Sequence, residues 1–209
     1  MLDWSTISSL ATAAGTLVLA VATFASVRSG GRSARVAERA LLLGLRPVLA
    51  PSRLQDPPQK IMFADRHWVH APGGGGVVDI GDDAIYMAIA LRNVGSGLAV
   101  LHGWHFRPGR TLSDIPHADL ADFRRLTRDL FVPTGDVGFW QGALRDPNEP
   151  LFAIARQAIE GRDMLTVEVL YGDHEGGQRA ITRFSLTPLE DRWIAAVSRH
   201  WNLDRPDPR

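Results

Sequence analysis

The sequence predicts a mainly β fold class: an antiparallel β-sandwich with one or two helical insertions, carried behind an N-terminal transmembrane helix. Three observations predict it. Residues 4–27 hold no charged side chain. At least six later segments combine alternating apolar residues with flanking turn residues. A chain of 209 residues suffices for one domain with a full core plus an appendage, and not for two large domains.

Composition narrows the function classes. Hydrophobic residues make up 45% and charged residues 22% of the chain, a globular profile, so the bulk of it should fold. The formal net charge is zero, which removes any general attraction to nucleic acid, and no nucleic-acid partner is expected. There is no cysteine, so disulfides, thiolate nucleophiles and thiolate metal sites are excluded together.

Residues 1–27 are read as a transmembrane anchor. The 24 uncharged residues from Trp4 to Val27 would rise ~36 Å as a helix, enough to cross a ~30 Å hydrocarbon core with some tilt. At ~100° per residue, Ser5, Ser8, Ser9, Thr12, Thr16, Thr23 and Ser26 fall on one side, and Ile7, Leu10, Leu17, Val18, Val21 and Phe24 on the other. In lipid the bulky face meets acyl chains, while small and hydroxyl residues let a second helix approach. Ser8, Thr12, Gly15, Thr16 and Thr23 are the candidate helix–helix interface, and Ala11 and Gly15 have small-xxx-small spacing. The expected partner is a second copy or another membrane protein. Three alternatives compete: a signal peptide cleaved after Ala25, against which Asp3 stands where such peptides carry Lys or Arg; a soluble amphipathic helix packed on the domain; and hydroxyls bonded back to their own backbone.

Residues 28–45 form a basic juxtamembrane helix in this reading. Between residues 28 and 53 six arginines stand against Glu38 alone, a net of +5. The positive-inside rule then puts the C-terminal domain in the cytoplasm and the N-terminus outside an inner or plasma membrane. Arg28, Arg32, Arg35 and Arg39 share one helical face. Such a stripe suits anionic lipid head groups, at roughly 1 kcal/mol per residue near the surface. A straight helix would carry Arg35 and Arg39 past the head groups, so contact by all four needs a bend, for which Gly30-Gly31 is the natural place. The competing reading is a solvated topogenic flank. Leu41, Leu42, Leu43 and Leu45 are expected to dock the helix end on the domain.

The soluble β-sandwich domain is placed at residues 46–204, with a disordered tail at 205–209. Pro47 ends the helix. A strand can begin at residues 48–50, residues 51–58 read as a turn or linker, residues 61–63 and 67–70 are short and irregular, and Gly73 to Gly76 predicts a flexible loop. The glycine run lacks the spacing and following Lys-Ser/Thr of a phosphate loop. The clearest strand is residues 84–94, with Ile85, Met87, Ile89 and Leu91 on one face. Asn93, Gly95 and Gly97 form a structural turn that resembles the strand–turn element of bacterial immunoglobulin-like sandwiches, where the glycines would supply backbone angles that other residues resist. A strand over residues 98–106 follows. Leu120, Phe123, Leu126 and Leu130 have helical spacing, predicting a helix over residues 116–130 capped by Ser113 or Asp114. Residues 137–144 read as a strand, residues 150–159 as a short helix in preference to a strand, residues 165–186 as a hairpin turning at 172–177, and residues 193–203 as a last strand. An open α+β sheet is the runner-up.

Chemistry is sparse. His67 and His70, like His102 and His105, are three apart, which on a strand places the rings on opposite faces, so neither pair chelates a metal. Asp82-Asp83 and Asp173-His174-Glu175 lie in predicted turns, where short acidic residues favour local backbone bonds. There is no Gly-x-Ser-x-Gly elbow, and no metal or cofactor is expected. Arg124, Arg125 and Arg128 beside Asp119, Asp122 and Asp129 look like a solvated, salt-bridged helix face.

The apolar residues 4–27, the arginines at 28–39, Leu45-Arg-Pro47 and residues 91–104 (Leu-Arg-Asn-Val-Gly-Ser-Gly-Leu-Ala-Val-Leu-His-Gly-Trp) together resemble uncharacterised single-pass membrane proteins of high-GC actinobacteria. The resemblance implies the architecture and no activity. The expected function is a membrane-anchored, non-enzymatic interaction or scaffold protein. The alternative is a membrane-tethered hydrolase or small-ligand enzyme with a site assembled across the β domain.

Overall fold

A computed structural model of the chain describes residues 3–112 and 114–204, and for residues 4–7, 11, 39, 42 and 43 the backbone alone. The expected tail at 205–209 and the candidate cap Ser113 lie outside the described residues. The chain divides into two compact units that meet between Leu43 and Gly44.

The first unit is a single helix, α1 (Trp4–Gly44), of 41 residues. At 1.5 Å per residue it is about 62 Å long, twice a hydrocarbon core. It stays α-helical through Gly30 and Gly31, so the arginines are not gathered to one depth by a break there. Each glycine costs about 1 kcal/mol against alanine in a helix interior. Alanine, leucine, arginine and glutamate dominate residues 32–43 and favour continuation.

The second unit is mainly β and antiparallel throughout. Its strands are β1 (Leu49–Pro51), β2 (Gln59–Met62), β3 (Trp68–Ala71), β4 (Gly75–Ile80), β5 (Ile85–Asn93), β6 (Ala99–Pro108), β7 (Arg124–Val132), β8 (Val137–Leu144), β9 (Leu165–Gly172), β10 (Arg179–Leu189) and β11 (Arg192–Asn202), with one helix, α2 (Pro150–Glu160), between β8 and β9. Nine strands form one sheet in the order β1-β5-β4-β11-β10-β9-β6-β7, with β8 on the other edge of β5. The sheet curls until β7 and β8 lie side by side, yet β7 is laddered only to β6 and β8 only to β5. Its two halves face each other across one core, as the layers of a sandwich do. Trp104 of β6 meets Trp140 of β8 edge-on at 5.5 Å, and Phe152, Ala155 and Ile159 of α2 join the same cluster.

β5 is buried on both faces. Ile85, Met87, Ile89 and Leu91 enter the main core, while Ala84, Tyr86, Ala88 and Ala90 pack under a hairpin made of β2 and β3, against Ile61, Phe63, Val69 and Ala71. The three alanines leave room for that hairpin. Residues 59–62 and 68–71 are thus a regular two-stranded pair where the sequence reads as irregular.

Two further expectations are corrected. Residues 116–130 are not a helix: a 3₁₀ turn at Leu120–Asp122 leads into β7. Leu126, Leu130 and Val132 face inward with a period of two. The four-residue step from Leu126 to Leu130 satisfies both periods, and this made a strand look helical. The Gly73 to Gly76 run is not a flexible loop. A Cβ on Gly73 would lie 2.4 Å from the Arg53 carbonyl, on Gly75 2.6 Å from that of Trp193, and on Gly76 2.7 Å from that of Ala88. The run is the corner at which β4 joins β5 to β11.

Candidate functional site

On α1 the described large apolar side chains are bare. Leu10, Leu17, Val18, Leu19, Val21, Phe24 and Val27 are each 63–73% exposed. Among the described residues one helix is long and apolar enough to cross a membrane, its candidate stretch being Ser8–Glu38. On the opposite side the Thr12 hydroxyl donates to the Ser8 carbonyl at 2.9 Å, that of Thr16 to the Thr12 carbonyl at 2.8 Å, and that of Thr23 to the Leu19 carbonyl at 2.8 Å. These hydroxyl protons are satisfied within the helix, so this face can enter lipid without a partner. What it offers a second helix is its small size, greatest at Gly15, where an added Cβ would meet nothing within 4 Å. Arg28, Arg32 and Arg35 are exposed and share one side with Val36. Arg35 donates from Nε to the Gly31 carbonyl at 3.2 Å. Arg39 lies on the same helix, and its side chain lies outside the described residues. Along the axis Arg39 stands ~16 Å beyond Arg28.

In the β unit, Asn93 organises the turn read from the sequence. It is fully buried, donates from Nδ2 to the carbonyls of Gly97 (2.6 Å) and Val132 (3.0 Å), and accepts at Oδ1 from the amides of Gly95 (3.0 Å) and Val48 (3.2 Å). Neither Gly95 nor Gly97 has a positive φ. Both are needed for close approach: a Cβ on Gly95 would lie 2.4 Å from the Arg46 carbonyl, and one on Gly97 1.8 Å from that of Leu45. The reason for the glycines is therefore packing and not backbone angle.

Three polar groupings were not legible in the sequence. Arg183 and Glu168, on neighbouring strands and 0% and 1% exposed, pair at 2.6 Å. Arg183 also donates to the carbonyls of Leu112, Ile115 and Pro116, and Glu168 accepts from the Ala118 amide at 2.8 Å. The bonds to the backbone of Leu112, Ile115, Pro116 and Ala118 hold these residues on the sheet, so the pair is a structural clamp. In the second grouping the buried Tyr171 hydroxyl accepts from the Leu49 amide at 3.1 Å and lies 2.9 Å from the Thr182 hydroxyl, itself 3.0 Å from His200 Nδ1. Burial pushes the Tyr171 pKa up, keeping it a neutral hydroxyl.

The third grouping surrounds Tyr86, whose ring stacks on His67 at 4.0 Å and whose hydroxyl donates to Asp65 at 2.9 Å. His67 Nε2 lies 2.8 Å from Asp79, and Arg145 reaches Asp65 at 3.3 Å. Burial acts to raise the Asp65 pKa, but the bonds from Tyr86, the His67 amide and Arg145 outweigh it and hold the carboxyl below its ordinary value. Among the described residues no group of three or more His, Asp or Glu side chains is placed to hold a metal ion. His102 stands alone in β6 opposite four residues of β7, and at this bulge the core-facing alternation slips, Leu101 and Trp104 both being buried. Asp173 is spent on its own turn, accepting from the Gly177 amide at 2.9 Å.

The arginines read as a solvated helix face stand instead at the unpaired seam between β7 and β8. Arg128 bridges it, donating to the Met62 carbonyl at 2.9 Å and to Gln141 Oε1 at 3.0 Å. Arg124 pairs with Glu149 and lies over the Trp104 ring at 5.7 Å. The signal that would have found them is the inward Leu126–Leu130–Val132 alternation, which requires β7 to be a strand.

By its fold the chain is an antiparallel β domain preceded by one long apolar helix. No protein-family model, curated protein or solved structure matches it.

Proposed function

We propose that the protein is a single-pass membrane-anchored, non-enzymatic interaction protein whose α1 spans the bilayer and whose β domain sits on the cytoplasmic side. The observation that carries this reading is the continuous apolar surface of α1, from Leu10 to Val27, left bare over its whole length. At about 25 cal/mol per Å² of apolar area, such a surface is stable only against lipid or another helix. The excess of arginine after Val27 supports the inward orientation. Arg28 and Arg32 are free to meet anionic head groups, with Arg35 and Arg39 further along the same unbroken helix. The face with Ser8, Thr12, Gly15, Thr16 and Thr23 is the surface for a second copy or a membrane-protein partner, through close packing rather than hydroxyl bonding.

Alkaline carbonate extraction of native membranes tests the anchor. The full chain should stay in the pellet, and a chain lacking residues 1–27 should be released. Release of the full chain by carbonate would contradict the reading. On vesicles with anionic lipid, Arg28→Gln/Arg32→Gln/Arg35→Gln in the chain lacking residues 1–27 should reduce sedimentation; if the unsubstituted shortened chain does not sediment, head-group contact is wrong.

A further inference from the structure

We propose that the open end of the seam between β7 and β8 binds a small phosphate-class anion. Where the curled sheet fails to zip, a pocket of about 130 Å³ is lined by Arg124, Arg125 and Arg145, with Gln141, Thr127 and the edge of Trp104. None of its lining residues is acidic. The arginines arrive from two strands on opposite sides of the gap. Arg124 and Arg125 open β7, and Arg145 follows the last residue of β8. Leu126 and Thr127, which also line the pocket, belong to the four-residue bulge that leaves the ladder with β6. The other end is closed by the turn that Asn93 ties to Val132.

Charge selects the ligand class. Of the three arginines that line the pocket, Arg124 is offset by Glu149 and Arg145 by Asp65, while no ion pair among the described residues involves Arg125. The pocket therefore carries one positive charge in excess and no acidic lining residue, which selects an anion. Guanidinium forks match phosphate oxygens bidentately. A phosphate monoester carries about −1.5 to −2 at pH 7. The volume is well below the roughly 300–1,000 Å³ of sites that enclose a whole drug-sized ligand, so the pocket takes one anionic group with any remainder outside. Arginines on an edge strand also discourage strand-to-strand aggregation. That role requires neither convergence on a pocket nor the contribution of Arg145 from the facing side. The site stands or falls independently of the membrane reading.

The test is calorimetric titration of the full chain in phosphatidylcholine nanodiscs with inorganic phosphate, and in parallel with acetate. Phosphate should bind at least tenfold more tightly than acetate. Arg125→Gln, an exposed side chain without an ion partner, should weaken phosphate binding at least tenfold with an unchanged melting temperature. Arg124→Gln/Glu149→Gln, which removes both members of one pair, should weaken it as well. Arg192→Gln on β11 should leave it unchanged. Adding phosphatidic acid to the discs separates the sources: phosphate binding retained assigns a soluble anion, and binding suppressed assigns a lipid phosphate. No phosphate binding, equal binding of acetate, or equal loss in Arg192→Gln would overturn the proposal.

Discussion

Asn93 sits where three stretches of backbone meet, and its side chain supplies two donors and an acceptor that bonds twice. Leaving buried partners unpaired costs ~1–3 kcal/mol each, so Asn93→Ala should lose on the order of 3 kcal/mol or more in urea unfolding of the full chain in detergent. A loss near zero would mean that the turn holds without it. Glu168→Ala strands the fully buried Arg183 guanidinium and should cost about 3–5 kcal/mol. It should also make the stretch between Leu112 and Ala118 more sensitive to protease, because Arg183 and Glu168 bond to four of its backbone groups. Burial first, and then Arg107, depress the His105 pKa. A group with a lower pKa folded than unfolded takes up protons preferentially when unfolded. Its penalty is absent above the unfolded value of about 6.5 and grows as pH falls below it. Stability should therefore decline from pH 7 to pH 5, and His105→Gln should flatten that slope; an identical slope in the variant would assign the effect elsewhere.

Among the elements, α1 is the one for which sequence and physics agree most closely, since an uncharged stretch of this length has few ways to exist. Its Ser/Thr face is less decisive. Thr12 and Thr16 bond to their own backbone, so Thr12→Leu/Thr16→Leu leaves no unpaired donor. The substitution should reduce self-association in a transmembrane dimerisation assay by bulk alone, and unchanged association would place the contact on another face. The β elements were legible where one period dominated. β5 read cleanly because Ile85, Met87, Ile89 and Leu91 alternate with alanine and tyrosine, and the β9–β10 hairpin because its turn residues cluster. β7 was hidden because a step of four residues serves a helix and a strand alike. β2 and β3 were hidden because a four-residue strand carries too few repeats to show a period. The glycines at 73–76 announced irregular backbone, whereas what they meet is carbonyl oxygens at a sheet corner, a contact made with residues far away in sequence.

At the scale of the whole molecule, the sheet of the β unit curls round one core and stops one ladder short of closure, and the arginine pocket follows from that. At the seam the side chains of Arg128 and Gln141 bond across the gap where a backbone ladder is missing. The arginine pocket could not have been read from the sequence, since Arg124, Arg125 and Arg145 come together only when the first and last strands of a nine-stranded sheet meet. The clamp between Glu168 and Arg183 is likewise a product of pairing between β9 and β10. The central claim remains the anchor and its direction, and the absence of cysteine makes it directly measurable. Single-cysteine variants Asp3→Cys and Asp204→Cys, treated in intact cells with a membrane-impermeant maleimide, report on the two ends of the chain. Labelling of Asp3→Cys alone, with Asp204→Cys labelled only after the cells are opened, is the predicted result; labelling of Asp204→Cys in intact cells would contradict it.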